Sequence, residues 1–378
     1  MKKVSSWFQI CIFLAFIFLF FVLHLALPDV GFSEQENREL TQAPKLTVDS
    51  SFSGQFTSKF ESYCSDQFPF RDSWTTLKAR SELSLGKKEN KGVYLCGDDI
   101  LVEGYSKPDF KQLDTNITAV RNLAEKANIP VYFALVPSFA EIRSDLLPKN
   151  APNDSQKEII DYSYEGSGTI NIDLLSAMSA HSDEYIYYRT DHHWTSLGAY
   201  YGYAAIMEAM GKTAPTLSNY NREMITDEFY GSVYSKSGIS WVGSDSIEFF
   251  VPQREGTKVL NYPSDEAVPA LMYNMDFLNK KDKYSMFMGG NTPLITVNTE
   301  NTDAPSILVL RDSYFDSLIP FLQDNYSEVH AMDLRYYKTK LMYSTLIDYI
   351  EEHNIDEVLV CYSLYNFGTD NNVFLMGQ

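Results

Sequence analysis

Between Trp7 and Leu27 the chain runs for 21 residues without a charge, WFQICIFLAFIFLFFVLHLAL. As a helix rising about 1.5 Å per residue, that run is roughly 30 Å long, the thickness of a bilayer's hydrocarbon core. Lys2 and Lys3 precede it and the next charge is Asp29. Positive charge on the N-terminal side predicts a cytoplasmic tail over residues 1–6 and a transmembrane anchor over 7–27. It places everything beyond on the far side of the cell membrane, as a single-pass protein. A cleaved signal peptide is the other reading of such a segment. Its apolar stretch is shorter, roughly 7–15 residues, and a small-residue cleavage site follows it; neither fits well here.

The remaining chain carries 29 basic and 50 acidic residues. A portion this acidic is repelled by a nucleic-acid backbone, so no nucleic-acid partner is expected. The whole chain, with 44% hydrophobic and 21% charged residues, reads as globular rather than disordered. The 26 Tyr and 24 Phe suit polar ring-shaped ligands such as sugars, but equally a thick core. Four cysteines are too few for a disulfide scaffold. Cys64 and Cys96 leave room for one bridge, and Cys361, in the apolar run Val358–Cys361, reads as a buried thiol.

Residues 28–90 form a membrane-proximal region, with Phe52, Phe56 and Phe60 spaced by four and a polar helix over 73–85 that stops at Gly86. From residue 91 the pattern changes. Val93–Leu95 and Ile100–Val102 predict a hairpin around Gly97-Asp98-Asp99. Helices are expected over 116–127, 195–210, 314–322 and 341–353, and strands over 131–136, 185–188, 307–310 and 357–361. Strands alternating with helices predict a three-layer α/β domain with a parallel sheet over 91–378. The Gly-, Ser- and Tyr-rich stretch 212–290 breaks the rhythm and is expected to be an irregular insertion.

Two segments carry chemistry. In Arg189-Thr190-Asp191-His192-His193-Trp194-Thr195, residues two apart on an extended chain share a side, so Asp191 and His193 face together and His192 points away. A carboxylate beside an imidazole fixes its tautomer and stabilises the imidazolium, which makes Asp191 an orienter and His193 a general base. In Ser306–Phe315, a buried strand ends at Arg311-Asp312-Ser313. Ser313 then lies at the strand's C-terminal end and at a helix start, where backbone N–H groups face a developing oxyanion. Its hydroxyl is a candidate nucleophile, although the G-x-S-x-G elbow pattern is absent and Asp-Ser is also a common N-cap. No metal is expected, because Asp191, His192 and His193 lack the further ligands a zinc or two-metal site needs.

Asp191-His192-His193-Trp194 resembles the signature of the DHHW protein family. Asp312-Ser313-Tyr314 resembles the nucleophile block of SGNH-like proteins. Glu36-Asn37-Arg38 with Asp66-Gln67-Phe68-Pro69-Phe70-Arg71-Asp72 is similar to the N-terminal region of the alginate O-acetylation proteins. The resemblance extends from about residue 32 to the C-terminus. It implies an SGNH-hydrolase-like α/β/α fold in which the Asp-x-His pair precedes the Ser, with Asp191, His193 and Ser313 as an acyl-transferring triad. It further implies Arg335 as a substrate contact and Gly290 and Asn291 as oxyanion donors.

The leading expectation is a membrane-anchored extracytoplasmic O-acetyltransferase acting on a cell-surface or secreted polysaccharide through an acyl-enzyme. No cofactor is expected, because the acyl donor must be supplied across the membrane by a partner. Family analogy makes that partner a membrane-bound O-acyltransferase. Two other readings fit the same residues: a carbohydrate acetyl esterase with the same triad, or a non-catalytic glycan-binding or assembly protein.

Overall fold

The computed structural model describes residues 2–47, 50, 53–251, 254–340 and 345–378. Phe52 and the start of the helix expected over 341–353 lie outside the described residues. The chain forms two compact units: Met1–Lys91 with Tyr234–Trp241, and Gly92–Val233 with Val242–Gln378.

The first unit holds α1 (Lys2–Ala26), α2 (Gln55–Asp66) and α3 (Arg71–Ser84). Residues Ser6–Ala26 of α1 are long and apolar enough to cross a bilayer. The two motifs of this region meet as an ion-pair ring. Arg38 lies 2.6 Å from Asp66 and 2.8 Å from Glu36, and Arg71 lies 2.8 Å from Glu36.

The second unit begins with the hairpin β1 (Val93–Leu95) and β2 (Leu101–Glu103). There follow α4 (Phe110–Lys126), β3 (Val131–Val136), α5 (Gln156–Ser167), β4 (Ile170–Ile172) and α6 (Ser196–Ala209). Then come β5 (Glu223–Phe229), β6 (Asp245–Phe249), β7 (Lys258–Tyr262), β8 (Val268–Ala270) and β9 (Leu294–Asn298). The chain closes with β10 (Ser306–Arg311), β11 (Glu328–Met332), α7 (Leu334–Lys340), α8 (Leu346–Glu352), β12 (Glu357–Ser363) and α9 (Leu364–Thr369). Helix α4 starts earlier than the apolar spacing implies because the Asp109 carboxylate caps it, accepting from the Lys111 N–H. Helix α8 starts at a capping box between Thr345 and Asp348.

Eight strands form the main sheet, in the order β8-β7-β9-β11-β10-β12-β3-β4. The five from β11 to β4 are parallel. The expected parallel sheet is therefore extended by an antiparallel edge, because β9 runs against β11, β7 against β9 and β8 against β7. Two of those edge strands, β7 and β8, come from the stretch 212–290, and β5 pairs with β6 in a separate hairpin. Residues 185–188 form no strand; they fold back on the motif through a bridge between Tyr187 and Trp194.

Alternation along the central strands produces the three layers. Ile307 and Val309 face one core with Trp194, Tyr203 and Phe321, and Leu308 and Leu310 face a second with Leu113, Val120 and Ile350. Strands β3 and β12 divide in the same way, so both sheet faces are dry and need helices over them. Trp194 is fully buried, and its ring approaches α6 so closely that a Cβ on Gly202 would lie 2.8 Å from it. Replacing Gly202 with Ala is expected to overpack this contact and lower stability by about 1–3 kcal/mol, read as a shifted urea midpoint.

Candidate active site

The site lies at the C-terminal ends of the parallel strands, where open α/β sheets leave a crevice. Ser313 follows β10. The expected helix over 314–322 is a 3-10 turn, Ser313–Ser317, followed by one α-turn, Ile319–Leu322. Pro320 has no N–H and its ring clashes with the carbonyl of residue 316, so a continuous helix cannot pass. The turn's cap is Asp312. One of its oxygens accepts from the Tyr314 N–H (3.0 Å). The other accepts from the Ser363 N–H (3.0 Å), the Ser363 hydroxyl (2.6 Å) and Asn366 Nδ2 (2.7 Å). This buried carboxylate ties the exit of β10 to the exit of β12 and sets the backbone from which Ser313 projects.

The Asp-His segment is a tight loop rather than an extended chain. Tyr188 N donates to His193 O and Thr195 N to Ile186 O. Asp191 Oδ1 accepts from the His193 backbone N–H (2.9 Å) and lies 2.6 Å from His193 Nδ1. The shared side of Asp191 and His193 thus arises from an Asx-type turn, not from strand alternation. His193 Nε2 lies 2.9 Å from Ser313 Oγ. The three side chains, 120 residues apart at the extremes of one hydrogen bond, form a continuous line. Asp191 and His193 are buried and Ser313 is partly exposed. Burial alone would raise the Asp191 carboxyl. The His193 and His192 rings outweigh it and hold Asp191 well below the usual carboxylate range.

Four supports brace the line, and three of them lack any motif in the sequence. Tyr284 stacks on the His193 ring, centroids 3.8 Å apart, and donates its hydroxyl to Ser313 O (3.0 Å). The Ser232 N–H donates to Asp191 Oδ2 (2.7 Å), and only a glycine at 231 permits that approach, since a Cβ there would sit 2.2 Å from Asp191 Cβ. Asp245 accepts from the N–H groups of Arg189 and Thr190, fixing the loop's entry. Trp194 Nε1 donates to Tyr314 O (2.8 Å), linking the two motifs directly. Three of these, Tyr284, Ser232 and Asp245, lie in the stretch expected to be irregular, where no periodicity marks them.

His192 does not point away. Its half-exposed ring lies 3.8 Å from that of His193, with Nδ1 2.5 Å from Ser232 Oγ. Asp191, His192 and His193 offer three ligand atoms within 4.8 Å of one another. The Asp191 oxygens and both His193 nitrogens are engaged with Ser232, Ser313 and each other.

Arg335 leaves β11 beside Ser313's turn, since Leu310 pairs with Met332 in adjacent strands. Asp333 holds its guanidinium in a two-pronged contact, 2.9 Å at Nε and 2.6 Å at Nη2. Gly290 spends its N–H on Phe287 O (3.3 Å), so it is not a free oxyanion donor. Asn291 is exposed, two residues before Pro293, whose carbonyl accepts from Asp333 N. Among the described residues no hydrogen bond joins Gly290 or Asn291 to Ser313. Beneath the turn, the fully buried Arg311 lies 2.7 Å from Asp316 and 3.9 Å from Asp333. Burial pushes the Asp316 carboxyl up to about 7, against the opposing pull of Arg311.

The family described as DHHW protein matches residues 87–332, more than half of the chain. A protein of Pseudomonas syringae pv. tomato named "Probable alginate O-acetylase AlgJ" is 24% identical over 176 residues, which cover 43% of this chain and 44% of that protein. The chain thus spans less than half the length of this relative. A DHHW family protein from Eubacterium siraeum shares the fold with a TM-score of 0.64 at 24% identity, over 76% of this chain and 95% of its own. Bacillus cereus PatB1, solved with a sulfonyl adduct, has a TM-score of 0.63 at 22% identity, over 76% of this chain and 98% of its own.

Two outcomes follow from the charges around β10. Asp312→Ala strips an acceptor from four donors and is expected to cost about 3 kcal/mol or more, whereas Ser313→Ala changes the stability read from urea unfolding by less than about 1 kcal/mol. Asp316 is protonated in the native protein to higher pH than when unfolded. Its contribution is therefore fully favourable at low pH and lost as pH rises from about 4 to about 7. Relative to wild type, Asp316→Asn should gain stability across that window; parallel urea curves at both ends would refute the assignment.

Proposed function

The chain belongs to the DHHW protein family, and from that premise we propose that it is an extracytoplasmic O-acyltransferase that acetylates a polysaccharide through Ser313. One observation carries the reading: His193 stands within hydrogen-bond reach of Asp191 on one nitrogen and of Ser313 on the other. The names of the alginate O-acetylase relatives support a polysaccharide as acceptor.

In the mechanism, His193 Nε2 takes the Ser313 proton as Oγ attacks the donor's acyl carbon. Asp191 holds the imidazole in the tautomer that presents Nε2 as the acceptor and stabilises the imidazolium. The tetrahedral oxyanion collects beside the start of the 3-10 turn, where the Ser313 N–H has no acceptor within the turn. His193 then returns the proton to the departing group, leaving an acyl-Ser313 ester. A sugar hydroxyl, deprotonated by the same imidazole, attacks this ester and releases Ser313. Arg335, oriented by Asp333, contacts the incoming polymer. Helix α1 anchors the protein in the cell membrane with the second unit outside, and the acyl donor arrives through a membrane-bound O-acyltransferase partner.

The purified full chain, in detergent, is expected to hydrolyse an acetyl-ester reporter. Ser313→Ala and His193→Ala should each lose roughly 10³-fold or more in kcat/KM. Equal turnover by wild type and Ser313→Ala defeats the proposal. A sulfonyl fluoride should add to Ser313 with loss of fluoride, detected by peptide mass, and the adduct should disappear in His193→Ala. In a deletion strain, a fall in polysaccharide O-acetylation marks transfer; a rise marks an esterase with the same machinery.

A further inference from the structure

The membrane-proximal unit turns an apolar face outward. Trp74 and Leu77, three apart, share one side of α3, Phe70 immediately precedes the helix, and all three are exposed, at 38%, 52% and 60%. Phe68, just before the helix, is exposed as well. Phe70 takes a left-handed backbone, φ 61°, which a bulky side chain rarely adopts. The opposite side of α3 carries the buried Ala79, and Thr76 there meets Ser240 at 2.9 Å.

This face is continuous with α1. Phe68 stacks on Phe20 with centroids 5.3 Å apart, and Trp74 packs edge-on against Phe20 (5.7 Å) and Phe16 (6.4 Å). Phe20 lies seven residues before the end of the uncharged run, roughly 10 Å down the helix axis. Once α1 crosses a bilayer, its partners Phe68 and Trp74 are carried to that depth, and interfacial helices bury their apolar faces by about 5–10 Å. The Trp74 indole is ready for an apolar medium, because its N–H already donates to Pro69 O (3.2 Å). Lys78 flanks the stripe one turn on and its side chain is largely exposed, placed to reach headgroups. Charge agrees. Residues 28–91 carry nine basic and ten acidic groups, whereas residues 92–378 carry 20 and 40. Only the membrane-proximal segment escapes strong repulsion by an anionic surface.

We propose that the Phe68, Phe70, Trp74 and Leu77 face is a lipid-contacting surface that beds into the bilayer crossed by α1, so that the protein holds its membrane at two points. The proposal rests on the reading of α1 as a membrane anchor. The test reconstitutes the full chain in phosphatidylcholine–phosphatidylglycerol vesicles with acyl chains brominated near the carbonyl end. The Trp7 and Trp74 emissions are isolated by difference against Trp7→Phe and Trp74→Phe. Both components are expected to be quenched by the brominated lipid and protected from aqueous iodide. If brominated lipid quenches Trp7 while iodide reaches Trp74, the lipid surface is wrong and the anchor stands. If neither is quenched by lipid, the anchor reading fails and the proposal with it. Trp74 shielded from iodide yet untouched by brominated lipid means that a second copy covers the face, which also overturns the lipid assignment.

Discussion

A buried imidazole that is hydrogen-bonded on both nitrogens has no rotational freedom left, and the rest of this site is arranged around that constraint. His193 meets Asp191 on one edge and Ser313 on the other, with the Tyr284 ring lying flat against its face. Each partner is braced from elsewhere: Asp191 by the Ser232 N–H, Ser313 by the Asp312 cap and the Tyr284 hydroxyl. A hydroxyl, an imidazole and a carboxylate held this way need little reorganisation to exchange a proton, as the proposed acyl transfer requires.

The sheet supplies the rigidity. Strand β10 is buried on both faces and paired on both edges, so its end is held by neighbours on every side. Asp312 transfers that rigidity to Ser313 by gathering four donors from the ends of two strands. Beneath them, Arg311 lies 2.7 Å from Asp316 and 3.9 Å from Asp333, and Asp333 in turn aims Arg335. A charge at one sheet end is costly to bury unless it is paired, and here the Asp333–Arg335 pair orders residues near the serine.

Local reading succeeded where apolar periodicity was strong. Val131–Val136 was legible as a strand to the residue, and the helix capped by Thr195 and closed before Gly211 was legible at both ends. It failed where turn chemistry or distant partners decide. Pro320 divides what composition reads as one helix, and Tyr185–Tyr188, rich in β-formers, folds back on the Asp-His loop because its hydrogen bonds go to residues 193–195. The stretch 212–290 looked irregular because its strands are edge strands with mixed burial. Yet it delivers Ser232, Asp245 and Tyr284 to the site.

By itself the sequence determined what depends on neighbours along the chain. The uncharged run over 7–27, the alternating strands and helices, the Asp-x-His pair and the serine after a buried strand are all local patterns of hydrophobicity and spacing. Only the tertiary structure decided that these pieces converge. The antiparallel edge, the Asp312 cap on Ser363 and Asn366, the stacked Tyr284 and the engaged Gly290 N–H all arise from contacts between residues whose separation in sequence carries no periodic signal. Such contacts are selected by the closing of the whole core, where packing and hydrogen-bond satisfaction are settled together.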